Sequence, residues 1–300
     1  MKKTFTQMAF SALFAAGLLV SANLQAANAT WTGGNSPDFN WNTNNNWGGT
    51  APVAGDALFF DGTTGLLNTN NFAANTPFAG ISFNNTAGIF SYAGNAYTLV
   101  NGGGITNNSA NIQTNRAALA VTNNNIVNYI TTSGGGAMVF PSGLAGGSWA
   151  NGLVTNNTLI VRNSQLLLGG ALSVGGNTAS VSNTVAVYNS TIDGGGQRIN
   201  TGAGNGDVIV LDNTIATNFG GMIIGNGAAA LNSTLIITNG AKVYKNGADL
   251  FEVNRTAGST GNKVIVTGAG SAWVNQGTKQ FSLGGTSGNT DRAMVEVNNG

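Results

Sequence analysis

The feature that most constrains this chain is a five-residue pattern that recurs along its second half. Leu159-Ile160-Val161-Arg162-Asn163, Val185-Ala186-Val187-Tyr188-Asn189 and Val208-Ile209-Val210-Leu211-Asp212 each place aliphatic residues first and third and a turn-former fifth. Leu235-Ile236-Ile237-Thr238-Asn239, Val264-Ile265-Val266-Thr267-Gly268 and Val295-Glu296-Val297-Asn298-Asn299 fit the same frame. Their first positions are separated by 26, 23, 27, 29 and 31 residues, and a weaker copy, Leu119-Ala120-Val121-Thr122-Asn123, lies 40 residues upstream of the first. Aliphatic alternation at period two points Val185 and Val187 to one face of a strand, with Ala186 and Tyr188 on the other. A repeat of this length is one supersecondary unit that cannot bury its apolar face alone, so neighbouring copies must stack.

Each copy holds more than one strand. A second short run follows the turn, as in Ala241-Lys242-Val243-Tyr244 or Ser271-Ala272-Trp273-Val274. A third ends in glycine: Leu172-Ser173-Val174-Gly175-Gly176, Met222-Ile223-Ile224-Gly225 and Phe281-Ser282-Leu283-Gly284-Gly285. Three strands and three turns per unit make an all-β, right-handed parallel β-helix of irregular 23–31-residue coils. In such a stack Asn163, Asn189, Asp212 and Asn239 are expected above one another at one corner, because Asn tolerates turn geometry. A β-sandwich array is the alternative architecture, but a sandwich of about 100 residues does not explain a period near 27.

Composition agrees with that reading. Of 300 residues, 46 are Gly, none is Cys or His, and only 7% are charged against 42% apolar. Gly, Asn and β-branched residues favour turns and strands over helices. The chain carries too much Val, Ile, Leu and Phe for charge-driven disorder. Its surface is kept wet by Asn, Thr and Ser rather than by Lys and Glu, as in Asn42-Thr43-Asn44-Asn45-Asn46. A small secreted fold lacking disulfides needs another source of stability, and a stack supplies one because its core grows with every coil.

The amino terminus reads as an export signal over residues 1–29. Lys2 and Lys3 precede an apolar run, Met8 to Val20, and small residues ending in Ala27-Asn28-Ala29 follow. Cleavage is expected after Ala29, with a cut after Ala26 as the alternative. The apolar run is too short to cross a bilayer core of about 30 Å, and no later segment resembles a transmembrane helix. The mature part then carries 9 basic and 10 acidic residues, without the clustered basic face that nucleic-acid binding needs.

Residues 30–61 differ from the rest and are expected to cap the solenoid, which then occupies 62–300, with its clearest repeats over 155–300. Trp31-Thr32-Gly33-Gly34, Trp41, Asn46-Trp47-Gly48-Gly49, Pro52 and Gly55-Asp56 precede Leu58-Phe59-Phe60. This segment, together with later ones such as Val266-Thr267-Gly268-Ala269-Gly270-Ser271-Ala272-Trp273, resembles the large bacterial surface proteins that carry autotransporter-associated β-strand repeats. The resemblance implies a β-helix passenger, adhesin-like or structural, displayed at the outer membrane or outside a Gram-negative cell. In that family a translocating barrel often follows the passenger. Because the last copy, Val295–Gly300, stops at the turn that elsewhere leads into a second strand, further repeats and then an anchor or barrel are expected beyond Gly300. The partners the resemblance implies are surface polysaccharide or other cells. Trp31, Trp41 and Trp47 carry two readings: a cap over the end of the core, or a stacking platform for sugars.

The catalytic inventory is thin, and the chain is read as a non-enzyme. Without His or Cys there is no Ser-His-Asp triad, no cysteine nucleophile and no zinc site of the usual ligands. The alternative is a polysaccharide lyase or glycoside hydrolase, which needs paired carboxylates. Its best candidate cluster is Asp193, Arg198, Asp207 and Asp212, although Asp207 and Asp212 fall on opposite faces of one strand. Gly202-Ala203-Gly204-Asn205-Gly206-Asp207-Val208-Ile209 partly matches the calcium-binding nonapeptide GGxGxDxUx, but it occurs once and a shared site needs tandem copies. No cofactor or metal is expected. Gly102-Gly103-Gly104 and Gly194-Gly195-Gly196 do not open helices and so form no phosphate cradle.

Overall fold

The structure is a computed structural model that describes residues 26–144, 149–150, 152–228, 230–284 and 292–298. The chain forms a parallel β-solenoid of about 10 turns, with roughly 26 residues per turn. The expected apolar signal segment, residues 8–20, lies outside the described residues.

Three sheets run along the stack, and every strand pairing within them is parallel. The first sheet has twelve described strands, from Asn28–Trp31 to Met294–Asn298. The second has nine, beginning at Leu67–Asn70, and the third has five, beginning only at Leu172–Val174. The expectation of three strands per coil therefore holds in the later coils, whereas the earlier ones are built on two sheets.

Register in the first sheet is set by inward aliphatic residues. Leu159, Val185, Ile209, Leu235, Val264 and Val295 are stacked partners, and the first five of them are buried. This corrects the sequence frame at one coil. Ile209 and Leu211, not Val208 and Val210, face inward, because Val208 pairs with Thr184 and Thr234 and Ile209 with Val185 and Leu235. A one-residue slip exchanges the two faces of a strand, so burial of the larger side chains decides it. The corner residue of that coil is accordingly Asn213 rather than Asp212. Asn163, Asn189, Asn213 and Asn239 all adopt left-handed backbone conformation, with φ of 49°, 48°, 44° and 53°. The weak copy at Leu119 is corrected as well. Leu119–Ala120 pairs with Tyr97 and Thr98 as a side strand, and the residue stacked on Leu159 is Asn128 of Val127–Thr132.

The amino-terminal coils have an aromatic core. Trp31, Trp41 and Trp47 are buried and pack on one another and on Phe60, with Trp31–Trp47 and Trp41–Trp47 centroids 5.0 and 6.5 Å apart. All three indole N–H groups are satisfied, donating to Thr64 O, Asn68 Oδ1 and Trp41 O. The sugar-platform reading of these residues is therefore corrected, since a ring enclosed by other rings has no face to offer. The cap is continuous with the solenoid, because Asn28–Trp31 pairs with Ala57–Phe60 as rungs of the first sheet. A cut after Ala29 would remove half of the first strand, whereas a cut after Ala26 leaves it whole. Ala27 N–H also donates to Asp56 Oδ1 at 2.8 Å.

A polar ladder runs inside the apolar stack. Asn157, Asn183, Asp207, Ser233 and Asn262 each precede a strand of the first sheet, and all are fully buried. The Asn157 and Asn183 backbone N–H groups donate to Asn183 Oδ1 (3.0 Å) and Asp207 Oδ1 (2.8 Å), and Ser233 N–H donates to Asn262 Oδ1 (2.7 Å). At these three turns into the sheet a backbone donor would otherwise be buried without a partner, and the side chain of the next coil supplies one.

Candidate functional site

Charged side chains are rare in this chain, so a place where several gather is informative. The segment from Lys245 to Arg255 carries Lys245, Asp249, Glu252 and Arg255, and the fold brings Arg198 to it. Arg198 opens the third-sheet strand Arg198–Thr201, and Asp249 lies in the turn before Phe251–Val253, two coils further on. The coil between them presents Gly221, the register partner of Arg198. A Cβ there would stand 2.8 Å from the Leu250 carbonyl and 2.9 Å from the Asp249 Cβ. Glycine thus lets the Asp249 turn fold over the intervening coil to reach the guanidinium.

The contact is bidentate. Arg198 donates from Nη2 to Asp249 Oδ1 at 3.0 Å and from Nε to Oδ2, and Oδ1 also accepts the Leu250 N–H at 2.9 Å. The Arg198 hydrogen bonds hold the Asp249 carboxyl below its usual range, and the same pairing raises Arg198. Glu252 is fully buried and forms an ion pair with Arg255, Nε to Oε2 3.2 Å. Lys245 donates to the Gly247 carbonyl at 2.8 Å, and burial lowers its pKa against the opposing pull of Asp249. Gln197, Arg198, Asn200, Asn226 and Asp249 line a groove of about 340 Å³. It offers one paired cation and anion and three amides, which suits hydrogen bonding to a polar, uncharged ligand. Glu252 is enclosed rather than presented to the groove, so no second carboxylate faces Asp249 across it.

The cluster expected from sequence is dispersed by the fold. Asp193 ends a strand of the second sheet, where Oδ1 accepts from Gly195 N–H and Asn218 Nδ2. Asp207 is a rung of the internal ladder, and Asp212 lies at the outer end of a first-sheet strand, accepting from Asn239 Nδ2 at 2.9 Å. Of the four, Arg198 alone belongs to the groove. Asp207, the acidic residue of the partial calcium motif, points into the core and accepts from Asn183 and from Ser180 Oγ. Its pKa is raised, chiefly by burial. Among the described residues no group of three or more acidic, histidine or cysteine side chains could hold a metal. Sequence reasoning missed Asp249, Glu252 and Arg255. The available signal was the local density of charge from Lys245 to Arg255 in a chain otherwise nearly free of it.

No family model, curated protein or solved structure matches this chain. Its class is defined by its own geometry: a parallel β-solenoid with an aromatic amino-terminal end and an internal polar ladder. No helix among the described residues is long and apolar enough to cross a membrane.

Proposed function

We propose that this chain is a non-catalytic, exported β-solenoid passenger with an adhesin-like or matrix role at the surface of a Gram-negative bacterium. The observation that carries the reading is the use made of its carboxylates. Nine of the ten acidic side chains lie among the described residues, and each is engaged in a contact that holds the chain together. Asp38 and Asp56 accept backbone N–H groups of turns, and Asp61 accepts from Asn84 Nδ2 and Thr86 Oγ1. Asp193, Asp207 and Asp212 tie adjacent coils, Asp249 and Glu252 are held by arginines, and Glu296 accepts from Asn298. Glycosidic chemistry needs one carboxylate free to exchange a proton and a second across the scissile bond. The signal-like amino terminus and the resemblance of most of residues 30–300 to autotransporter-associated repeats suggest the cellular setting.

A second reading, polysaccharide cleavage, is favoured by one feature alone, the groove holding Arg198 and Asp249. Incubation with plant and bacterial polysaccharides, assayed for reducing ends and for unsaturated sugars, separates the two. No release is expected. Release that is abolished by Asp249→Asn would overturn the non-catalytic reading.

A further inference from the structure

The outer face of the first sheet is broken at one place. Phe78 pairs with Leu99 and Gly80 with Gly104, so Ala79 stands opposite four residues, Val100–Gly103. This long bulge is pinned rather than loose. The buried Asn128 donates from Nδ2 to the carbonyls of Val100 (2.9 Å) and Gly103 (3.2 Å), and Asn101 Oδ1 accepts the Val127 N–H at 2.8 Å. Bulges re-aim neighbouring side chains and gather beside functional sites.

Next to the bulge the outward column of the sheet reads Ala57, Gly80, Gly104, Tyr129 on successive rungs. Two glycines in adjacent strands leave backbone as the floor of a trough of about 280 Å³. Glycine inside a strand forfeits packing and marks a place where something approaches the backbone closely. The bulge forms one wall, and the neighbouring outward column, Phe59, Ser82 and Thr106, forms the other. Tyr129, 38% exposed, stands at the end. The trough is walled by two aromatic rings and two hydroxyls. No charged side chain lines it: Asp56 and Asp61 are held by Ala27 and Val53 N–H and by Asn84 and Thr86, and Arg116 donates to Ser91 on the second sheet.

We infer that this trough binds one pyranose ring of a neutral polysaccharide. The apolar C–H face of the sugar lies on the Tyr129 ring, and its hydroxyls meet Ser82 and Thr106. Its volume falls just below the roughly 300–1,000 Å³ of drug-sized sites, which suits a single ring. An anionic sugar would be desolvated there without a cation in return. A peptide strand is disfavoured because the trough lies mid-sheet, with paired strands on both sides and no free edge to extend. The inference rests on the surface reading only for the presence of polysaccharide around the protein.

The test is calorimetric titration of the whole chain with neutral tetrasaccharides of glucose, mannose and galactose, and with tetragalacturonate as the acidic probe. Binding of at least one neutral tetrasaccharide is expected. Tyr129→Ala should weaken it by about tenfold or more, a loss of about 1.4 kcal/mol or more. Tyr129→Phe, which keeps the ring, should stay within about threefold. Asn213→Ala, at a distant corner, should leave it unchanged, as should the thermal midpoint of Tyr129→Ala. The inference is overturned if none of the neutral sugars binds, if binding survives Tyr129→Ala, or if tetragalacturonate binds better and depends on Arg198. Absence of binding leaves the non-catalytic reading intact, whereas cleavage of a polysaccharide would overturn that reading without touching the trough.

Discussion

Replacing Asn183 by Ala tests whether the internal ladder holds the coils in register. Asn183 Oδ1 is the acceptor for both the backbone N–H (3.0 Å) and the Nδ2 (3.1 Å) of Asn157, and both residues are fully buried. Its own Nδ2 donates to the Val154 carbonyl, to Ser180 Oγ and to Asp207 Oδ1. Truncation strands two buried donors of Asn157, each costing about 1–3 kcal/mol, so the expected loss is about 2–6 kcal/mol. The acceptors suffer less, because Val154 O keeps the Val181 N–H and Asp207 keeps the Asn183 N–H. Asn189→Ala is the control. It sits on the exposed corner, loses one amide contact to Asn213 at 2.9 Å, and places Ala in left-handed backbone, together about 1–2 kcal/mol. Urea unfolding followed by circular dichroism ranks the two, and hydrogen exchange at the Asn157 amide reports the local opening. If Asn183→Ala costs no more than Asn189→Ala, the ladder is not what holds the turn.

Two further outcomes are expected. Asp207→Asn should stabilise the protein at pH 7 by on the order of 1 kcal/mol, since it removes a buried charge at a rung where the preceding coil carries Asn183 and the following one Ser233, both uncharged. Burial raises the folded pKa of Asp207 above its unfolded value. The ionised carboxyl therefore costs stability above the folded pKa and costs nothing below the unfolded one, so the advantage of the variant should shrink as pH falls toward 4 in thermal melts. An advantage that grew on acidification would reverse the sign of the argument. Val266→Asp should cost several kcal/mol by burying an unpaired charge, while Ile265→Asp, facing outward on the same strand, should cost less than about 1 kcal/mol. Equal melting losses for the two would contradict the register of this strand.

The repeated aliphatic pairs, the glycine-ended third strands and the charge-poor composition carry the fold in the sequence itself. Period-two alternation and a period near 27 residues leave stacking as the way to bury Val185, Val187 and their counterparts. Even so, identity of residue type could not settle register to a single position. Val208-Ile209-Val210-Leu211 is aliphatic at all four places, so either parity satisfies the pattern, and only packing against Val185 and Leu235 turns Ile209 inward. The roles of polar residues were less legible. An Asn reads alike whether it is a left-handed corner such as Asn189, a ladder rung such as Asn183 or a pin such as Asn128, because the distinction lies in what the next coil brings against it. Likewise Trp31, Trp41 and Trp47 announce an unusual end, but whether their rings face solvent or one another depends on coils as far along the chain as Phe78 and Tyr92. Local sequence determines which residues can form strands and turns. Contacts between coils, some 25 residues apart in the chain, decide which side chains are buried, which carboxylates are tied down and where a surface is left open.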